Sequence, residues 1–308
     1  MTDTDASQQA RRGLWATSAA FFVWGLFPLY WNQLAQVPAL QIMAHRIVWC
    51  AVFVLGYLLI RRGLGWLRPL AGNPRLLGML ALSSLLISVN WGLYIWAVNN
   101  GHVVESSLGY FINPLVSVLL GVLVLRERLN VWQWLAVGSA ALGVAWLTWQ
   151  GGRLPWIALT LAFSFGLYGL LRKLAAVESI PGLGVESGLL FLPALGFLLW
   201  SEQQGSGSFG HVGMQADALL IFGGVVTALP LIWFAYGARR IPLSLVGILQ
   251  YIGPSLQLLI GVWIFREPFS GAQLLGFGCI WLALGIYAAD GLRRNALDRR
   301  QAALQLSR

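Results

Sequence analysis

Charged residues are scarce in this sequence. Only 10% of its 308 residues are Asp, Glu, Lys or Arg, whereas 58% are hydrophobic and the mean hydropathy is +0.71. Soluble domains carry about 25% charged residues, so a chain this poor in charge cannot cover a water-exposed surface. The composition excludes an ordinary soluble protein and predicts an integral membrane protein, whose apolar surface lies in lipid.

Residues that would hold a metal or perform catalysis are also few. Cys50 and Cys279 lie in apolar runs near opposite ends of the chain, which predicts neither a disulfide framework nor a metal site. The three histidines are scattered, and the sequence has no phosphate-binding loop, dinucleotide fingerprint or nucleophile elbow. We therefore expect no enzyme activity, no cofactor and no metal. Nucleic-acid binding would require a basic face on a soluble domain, so we do not expect it from the net charge of +9 either.

Apolar runs of about 17 to 25 residues recur along the chain, which is the length that a helix needs to cross a bilayer. The first run is longer than the apolar core of a signal peptide and has no small-residue cleavage signal, so we expect it to remain. A β-barrel would instead show alternating apolar and polar residues. The sequence predicts an all-α integral membrane fold of ten transmembrane helices, near 14–34, 39–60, 76–98, 102–124, 131–149, 155–173, 184–200, 217–237, 242–264 and 271–289.

The distribution of Lys and Arg predicts the orientation, because cytoplasmic loops carry the positive excess. With the N-terminus inside, Arg153 and Arg266 fall in outer loops and Arg46 lies within the second helix, while the other Lys and Arg fall in cytoplasmic segments. We expect a multi-pass protein of the bacterial inner membrane with both termini in the cytoplasm.

The second half of the chain repeats the first. A shift of 140 residues aligns the stretch from about 108 to 142 without a gap, and the matches pair Arg126 with Arg266 and Pro114 with Pro254. Each copy holds five spans, an odd number, so the two copies must have opposite orientations. Inverted repeats recur in secondary transporters, whose halves expose one central site to either side in turn. A duplication with a purely structural role is the alternative.

This repeat divides the chain into four parts. We expect a cytoplasmic N-terminal tail over residues 1–13 and a first five-helix repeat over 14–150. A second, inverted repeat follows over 151–290, and a cytoplasmic C-terminal tail covers 291–308.

Arg46 is the first candidate for substrate contact. It lies about seven residues, or roughly 10 Å at 1.5 Å per residue, inside the outer end of the second predicted helix. A buried cation costs several kcal/mol unless it has a partner or water. The alternative is an arginine that snorkels to the outer interface or pairs with Glu105 for packing. Glu105, about one turn inside the fourth helix, is also our one candidate for ion coupling, because most other acids fall at or outside helix ends.

Polar side chains recur on one face of the fourth helix at steps of four and three residues. They are Ser106, Tyr110, Asn113 and Ser117. The equivalent helix of the second repeat carries Gln250 and Gln257 at the positions of Tyr110 and Ser117. We expect Tyr110, Asn113 and Gln250 to contact substrate in a shared central cavity, although such side chains also join membrane helices to one another.

Aromatic residues near mid-span predict a cavity wall. In the third helix Asn90, Trp91 and Tyr94 lie together, and Trp24 is a comparable candidate in the first helix. The eighth helix carries two aromatics in the corresponding stretch, Trp233 and Tyr236. Since the chain has 16 Trp, most of them must serve as interfacial or packing residues.

Several stretches resemble the EamA-type drug/metabolite transporter superfamily and, within it, the RarD-type permeases. They are WGLFPLYW at 24–31, PALQIMAHRIVW at 38–49, NWGLYIWAVNNGHVVESSLGYFINPL at 90–115 and LRERL at 125–129. The resemblance spans nearly the whole chain and implies ten helices in two inverted five-helix EamA repeats, both termini cytoplasmic, and carriage of small metabolites or drugs. Chloramphenicol sensitivity is associated with the family name. The resemblance brings no catalytic motif.

These features together predict a permease. We expect a secondary transporter that moves a small metabolite or drug-like solute by alternating access through a cavity between helices 1 to 4 and 6 to 9. The alternative is a membrane-embedded sensor or assembly factor, which would usually bring a soluble domain. The expected partners are a small-molecule substrate and membrane lipids. Drug export and uptake of an amino-acid-like solute both fit such a cavity.

Overall fold

The computed structural model describes residues 3–67, 72–126, 129–175, 177–238, 240–241 and 249–306, and every regular element within them is helical. In chain order the helices are α1 (Asp3–Gly25), α2 (Phe27–Asn32), α3 (Ala39–Arg62), α4 (Pro74–Asn99), α5 (Val103–Leu125), α6 (Val131–Gly151), α7 (Trp156–Ala175), α8 (Ser179–Gln203), α9 (Met214–Ala238), α10 (Ile252–Leu259) and α11 (Gly271–Leu306). A 3₁₀ turn over Gly65–Leu67 follows α3, and a π-helical turn over Ile260–Ile264 continues α10.

Eight helical segments among the described residues are long and apolar enough to cross a membrane, with α1 and α2 counted as one. Two shorter apolar helices cover 156–172 and 252–264. Helices suit lipid because each one satisfies its own backbone hydrogen bonds where no water is present. The predicted all-α membrane fold is confirmed at this level.

The first predicted span, 14–34, is two helices rather than one. Pro28 has no N–H, so the Trp24 carbonyl four residues earlier has no helical donor. That carbonyl instead accepts a hydrogen bond from Gln257 Nε2 at 3.2 Å. The chain thus breaks at Leu26, between α1 and α2. The Trp24 carbonyl, which Pro28 leaves without a helical donor, thus joins the first repeat to the second.

Other helix ends differ from the predicted ones. α1 begins at Asp3 and α11 continues to Leu306, so most of both expected tails is helical. α8 begins five residues before the predicted start at 184, because Pro181 is tolerated in a first turn. Some predicted features lie outside the described residues: the stretch 242–248, the cytoplasmic cations Arg68, Arg128, Arg239 and Arg308, and the repeat residue Glu127.

Three pairs of equivalent helices in the two halves begin 140 residues apart. The interval separates Ala39 of α3 from Ser179 of α8, and Pro74 of α4 from Met214 of α9. It also separates the capping residues of α6 and α11. Those two helices start with the same side-chain motif, in which a short polar residue and a glutamine three residues later hydrogen-bond each other's backbone amides. The pairs are Asn130 with Gln133 and Ser270 with Gln273.

Helices α3 and α8 run antiparallel. Leu58, near the end of α3, packs with Leu183 at the start of α8. Ala44, near the start of α3, packs with Ala194 in the second half of α8. We call the end of the bundle at which α3 begins the outer end and the opposite one the inner end, after the predicted orientation.

The outer end is filled by apolar side chains and closed by a loop. Trp31, Leu34 and Ile42 are at most 1% exposed and belong to one buried cluster there. Gln41, in the first turn of α3, donates to the Ser206 carbonyl at 2.7 Å and accepts from the Ser208 amide at 2.9 Å. The connection between α8 and α9 is thereby fixed to α3.

Candidate functional site

A cavity of about 350 Å³ lies inside the bundle. Its described lining comes from α1 to α5 and α7 to α10, with no contribution from α6 or α11. All eight residues predicted to contact substrate line it: Trp24, Arg46, Asn90, Trp91, Tyr94, Tyr110, Asn113 and Gln250. A second hollow, between Phe53 and Phe222, is lined by apolar residues apart from Gln215 and lies on the exposed surface of α3 and α9, as a lipid-facing groove would. The inner cavity is therefore the candidate site.

Arg46 is buried in the cavity wall. It is the eighth residue of α3 and is 4% exposed. Its Nε donates to Thr227 Oγ1 of α9 at 2.7 Å, and its guanidinium carbon lies 4.0 Å from the ring centroid of Trp91. Its Nη1 has no hydrogen-bond partner among the described residues. Since a buried guanidinium without a partner for each N–H is costly, this cation is suited to an anionic ligand.

Asn90 connects two helices beside Arg46. It is 1% exposed, and its Nδ2 donates to the Leu161 carbonyl at 2.9 Å and to Ser164 Oγ at 3.0 Å, both in α7. Its Oδ1 accepts from the Tyr110 hydroxyl at 3.4 Å. The ring of Tyr110 in turn meets that of Tyr94 edge-on, with centroids 5.6 Å apart. Much of Asn90's hydrogen-bonding capacity is therefore used in holding the cavity wall together.

Two further lining residues carry unpaired acceptors. Asn113 Oδ1 and Gln257 Oε1 are buried and have no hydrogen-bond partner among the described residues. Both side chains line the cavity. They are placed to accept hydrogen bonds from O–H or N–H groups of a ligand, because buried polar atoms are normally paired.

A second polar cluster lies nearer the inner end, and our sequence analysis missed it. Glu186 of α8 is 2% exposed. Its Oε1 accepts from Ser83 Oγ at 2.5 Å and lies 3.7 Å from Arg172 Nε. Its Oε2 accepts from the Tyr168 hydroxyl at 3.4 Å. Arg172 and Tyr168 line the cavity, so Arg172, which the sequence predicts only as a cation of the cytoplasmic side, also faces the interior of the bundle.

Two sequence signals could have revealed this cluster. Glu186 lies within the predicted span 184–200, so Glu105 is not the one acid inside a helix. Glu186 also follows Arg46 by the 140 residues that separate the repeats.

Glu105 lies apart from the cavity. Its Oε1 accepts a hydrogen bond from the Ile157 amide at 3.2 Å, in the first turn of α7. A carboxylate there satisfies an amide that has no helical partner. The side chain thus contacts the α7 backbone, and the alternative pairing with Arg46 is not formed.

Some expected wall residues do not line the cavity. Ser106 donates to the Val103 carbonyl of its own helix at 2.8 Å, and Ser117 is exposed. In α9 the lining aromatic is Phe234 rather than Trp233 or Tyr236, since each residue along a helix turns its side chain by about 100°.

No metal centre is visible in the described part of the chain. Groups of three or more His, Cys, Asp or Glu that could hold a metal ion do not occur among the described residues.

Comparison with known proteins identifies relatives over nearly the whole chain. The profile of the EamA-like transporter family matches twice, over residues 11–149 and 154–288. A Streptomyces exfoliatus protein named Protein RarD is 48% identical over 97% of this chain and 95% of its own length. The uncharacterized transporter YojE of Bacillus subtilis is 49% identical over 91% of this chain and 94% of its own.

More distant similarities extend the same pattern. The chloramphenicol-sensitive protein RarD of Pseudomonas aeruginosa is 32% identical over 94% of this chain and 97% of its own. One crystal structure of a protein with 20% sequence identity superimposes with a TM-score of 0.55, covering 92% of this chain and 97% of that one. That likeness concerns the fold alone.

Proposed function

This chain belongs to the EamA-like transporter family, and we propose that it is a secondary transporter that carries a small carboxylate-bearing solute across the inner membrane. The solute occupies the central cavity, with its carboxylate on Arg46. Alternating access through two inverted five-helix repeats exposes the cavity to either side in turn.

The observation that carries this proposal is the unpaired Nη1 of Arg46 in the cavity wall. The described lining contains two cations, Arg46 and Arg172, and no acid. A cavity of about 350 Å³ is at the small end of the range for small-molecule sites, roughly 300 to 1,000 Å³. Its mostly apolar wall fits an aromatic or aliphatic body, and Asn113 and Gln257 accept donors such as a hydroxyl group.

The inverted arrangement is supported by the repeat geometry. Equivalent helices start at an interval of 140 residues, and one equivalent pair, α3 and α8, runs antiparallel. Ten spans result when both shorter apolar helices, 156–172 and 252–264, are counted as crossings. These are short for a bilayer of about 30 Å, and neighbouring helices cover them.

We assign this conformation to the state open towards the inner end. Residues close to that end line the cavity, including Ile180 in the first turn of α8. The outer end is filled by the cluster that contains Trp31 and is fixed by Gln41. The distribution of Lys and Arg favours a cytoplasmic location for the inner end and for both termini.

Ligand-induced stabilisation of the purified protein tests the carboxylate site. The probes are 3-phenyllactate, its neutral amide 3-phenyllactamide, and 3-phenylpropionate, which lacks the hydroxyl donor. A ligand that binds the folded state raises Tm by mass action. We expect 3-phenyllactate to raise Tm most, 3-phenylpropionate less and the amide not at all, and we expect Arg46→Gln to abolish the effect.

The controls separate the possible outcomes. Arg153→Gln removes a cation predicted to lie in an outer loop and should leave the shift intact. Equal shifts with acid and amide, or an Arg46→Gln variant that responds like the wild type, would contradict the carboxylate site. If no solute of any charge shifts Tm and none enters vesicles, a sensor or assembly factor becomes the better description.

A further inference from the structure

Arg46 and Glu186 hold equivalent positions in the two repeats. Each is the eighth residue of its helix, α3 and α8 respectively, and each is almost fully buried. Each hydrogen-bonds a hydroxyl residue of the opposite repeat, Thr227 in α9 for Arg46 and Ser83 in α4 for Glu186. Because α3 and α8 run antiparallel, the cation lies towards the outer end and the carboxylate towards the inner end.

We propose that Glu186 is a proton-binding site that couples one proton to each carboxylate carried, which makes the protein a proton–carboxylate symporter. This inference rests on the proposed function. The Arg46 site would take the solute, and the equivalent site in the other repeat would take the compensating positive charge.

The groups around Glu186 favour a proton over a metal cation. Both carboxylate oxygens face donors: the hydroxyls of Ser83 and Tyr168 and the guanidinium of Arg172. A sodium or divalent ion needs several oxygen ligands pointing at one centre, and Arg172 would repel it. A proton needs only one carboxylate oxygen.

Four helices, α3, α4, α7 and α9, pack around Glu186 and carry titratable groups. From α7 come Arg172 and Tyr168. α3 brings the Cys50 thiol, which accepts from Ser187 Oγ at 3.6 Å. α4 contributes Ser83, while its own titratable residues are Arg75, next to its start, and Tyr94 of the cavity wall.

The titratable residues of α9 lie elsewhere. Asp217 is in its first turn at the outer end, and Tyr236 is 38% exposed. Glu186 is thus the one carboxyl group among these neighbours, and protonation there is not shared with a second acid.

Protonation would change the charge that Arg172 presents to the cavity. In the present structure Arg172 faces Glu186, and its Nη2 donates to the Glu178 carbonyl at 3.2 Å. Its Nη1 has no hydrogen-bond partner among the described residues. A proton from water at the inner end converts the carboxylate to the neutral acid, so the pair acquires one net positive charge. The solute carboxylate supplies the balancing negative charge, and both leave together at the outer side.

Infrared difference spectroscopy of the full chain in lipid vesicles tests the proton site without any substrate. The pH is stepped between about 5 and 8, the range in which a coupling acid must titrate to be useful. We expect the carbonyl band of a protonated carboxylic acid to appear in the wild type and to be lost in Glu186→Gln. Glu105→Gln is the matched control, because it removes a helix-embedded acid outside the cavity, and it should keep the band.

A conservative variant distinguishes loss of the acid from loss of the fold. Glu186→Asp keeps an acid at this position, so the band should persist at a shifted frequency. The proposal is overturned if the wild type shows no such band, or if Glu186→Gln keeps it in full.

Uptake into vesicles then tests the coupling. If 3-phenyllactate raises Tm, a pH gradient that is acid outside the vesicles should raise its rate of uptake at least tenfold in the wild type. The same gradient should leave uptake by Glu186→Gln unaffected. If the rate of uptake by the wild type does not depend on the pH gradient, symport is overturned. A probe that shows no binding counts against the carboxylate site, whereas the infrared result stands on its own.

Discussion

Arg126 and Arg266 stand 140 residues apart and share a left-handed backbone, with φ of 56° and 55°. They are the two non-glycine residues with positive φ in the described chain. Arg126 is the residue after α5, where a left-handed conformation is common and glycine is preferred. The repeats thus preserve not only sequence but an unfavourable backbone angle.

Replacing these arginines tests the cost of that angle. Arg126→Gly should raise the free energy of unfolding by about 1 kcal/mol relative to Arg126→Ala, because glycine adopts positive φ without a steric penalty. The alanine variant removes the same charge and so isolates the backbone effect. Denaturation in detergent measures both, and equal stabilities would show that the angle is not strained.

Thr227 is expected to hold the Arg46 guanidinium in place. Thr227→Val keeps the shape of the side chain but removes the oxygen that accepts from Arg46 Nε at 2.7 Å. A hydrogen bond to a charged group is worth about 1.5–3 kcal/mol, so we expect lower stability and a weaker Tm response to 3-phenyllactate. Thr227→Ser keeps the hydroxyl and should behave like the wild type; a serine variant as impaired as the valine one would point to packing instead.

Gly109 permits the close approach of α5 and α7. A Cβ at this position would lie 2.7 Å from the Ala158 carbonyl oxygen and 3.0 Å from its Cα, both backbone atoms that cannot move aside. Gly109→Ala should therefore lower the free energy of unfolding by about 1–3 kcal/mol. Gly138→Ala in α6, where nothing lies within 4 Å, should be neutral or slightly stabilising. Thermal unfolding compares the two, and equal Tm values would contradict the predicted clash.

His211 should make stability depend on pH. His211 lies in the connection between α8 and α9, and its Nε2 is 2.7 Å from Oε1 of Glu202, near the end of α8. This hydrogen bond and the charge of Glu202 raise the pKa of His211 above its ordinary value of 6.5. A raised pKa means that the contribution is complete below pH 6.5 and is lost as the pH rises through the new value. We expect a small fall in Tm over that interval, absent in His211→Gln, measured by thermal scans at constant ionic strength.

Much of the fold could be predicted from the sequence because lipid leaves so few options. Runs of apolar residues of membrane-spanning length must be helices, and the interval of 140 residues was visible in matched Arg, Pro and Gly positions. The cavity residues on α5 followed from helical periodicity, since Tyr110 and Asn113 fall on one face.

The partners of Glu186 could not be predicted in the same way, although its place in a predicted span and its interval of 140 residues from Arg46 pointed to Glu186 itself. Glu186 is the third residue of the predicted span 184–200, where a carboxyl group resembles an interfacial acid. Its burial depends on Ser83, Tyr168 and Arg172, which are distant in the chain and meet only when α4, α7 and α8 pack together. Arg172 likewise comes at the end of an apolar run, and the sequence does not reveal its acidic partner.

The break at Leu26 required a similar long-range contact. Pro28 lies within an apolar run of the sequence, and a proline in such a run can either bend a helix or end it. The amide of Gln257, more than two hundred residues later, takes up the Trp24 carbonyl that Pro28 leaves without a donor. That hydrogen bond lets the chain stop one helix and start another.

The opposite charges at positions 46 and 186 bear on how such a molecule can be assembled. In the proposed inverted arrangement, two separate copies of one five-helix polypeptide would place the same residue at both sites, so both ends of the cavity would carry an arginine or both would carry a glutamate. The ends can differ in polarity only when the two halves differ in sequence, as they do in this single chain. If the halves are inverted as proposed, the difference between positions 46 and 186 gives the cavity a polarity that a symmetric pair of identical subunits could not possess.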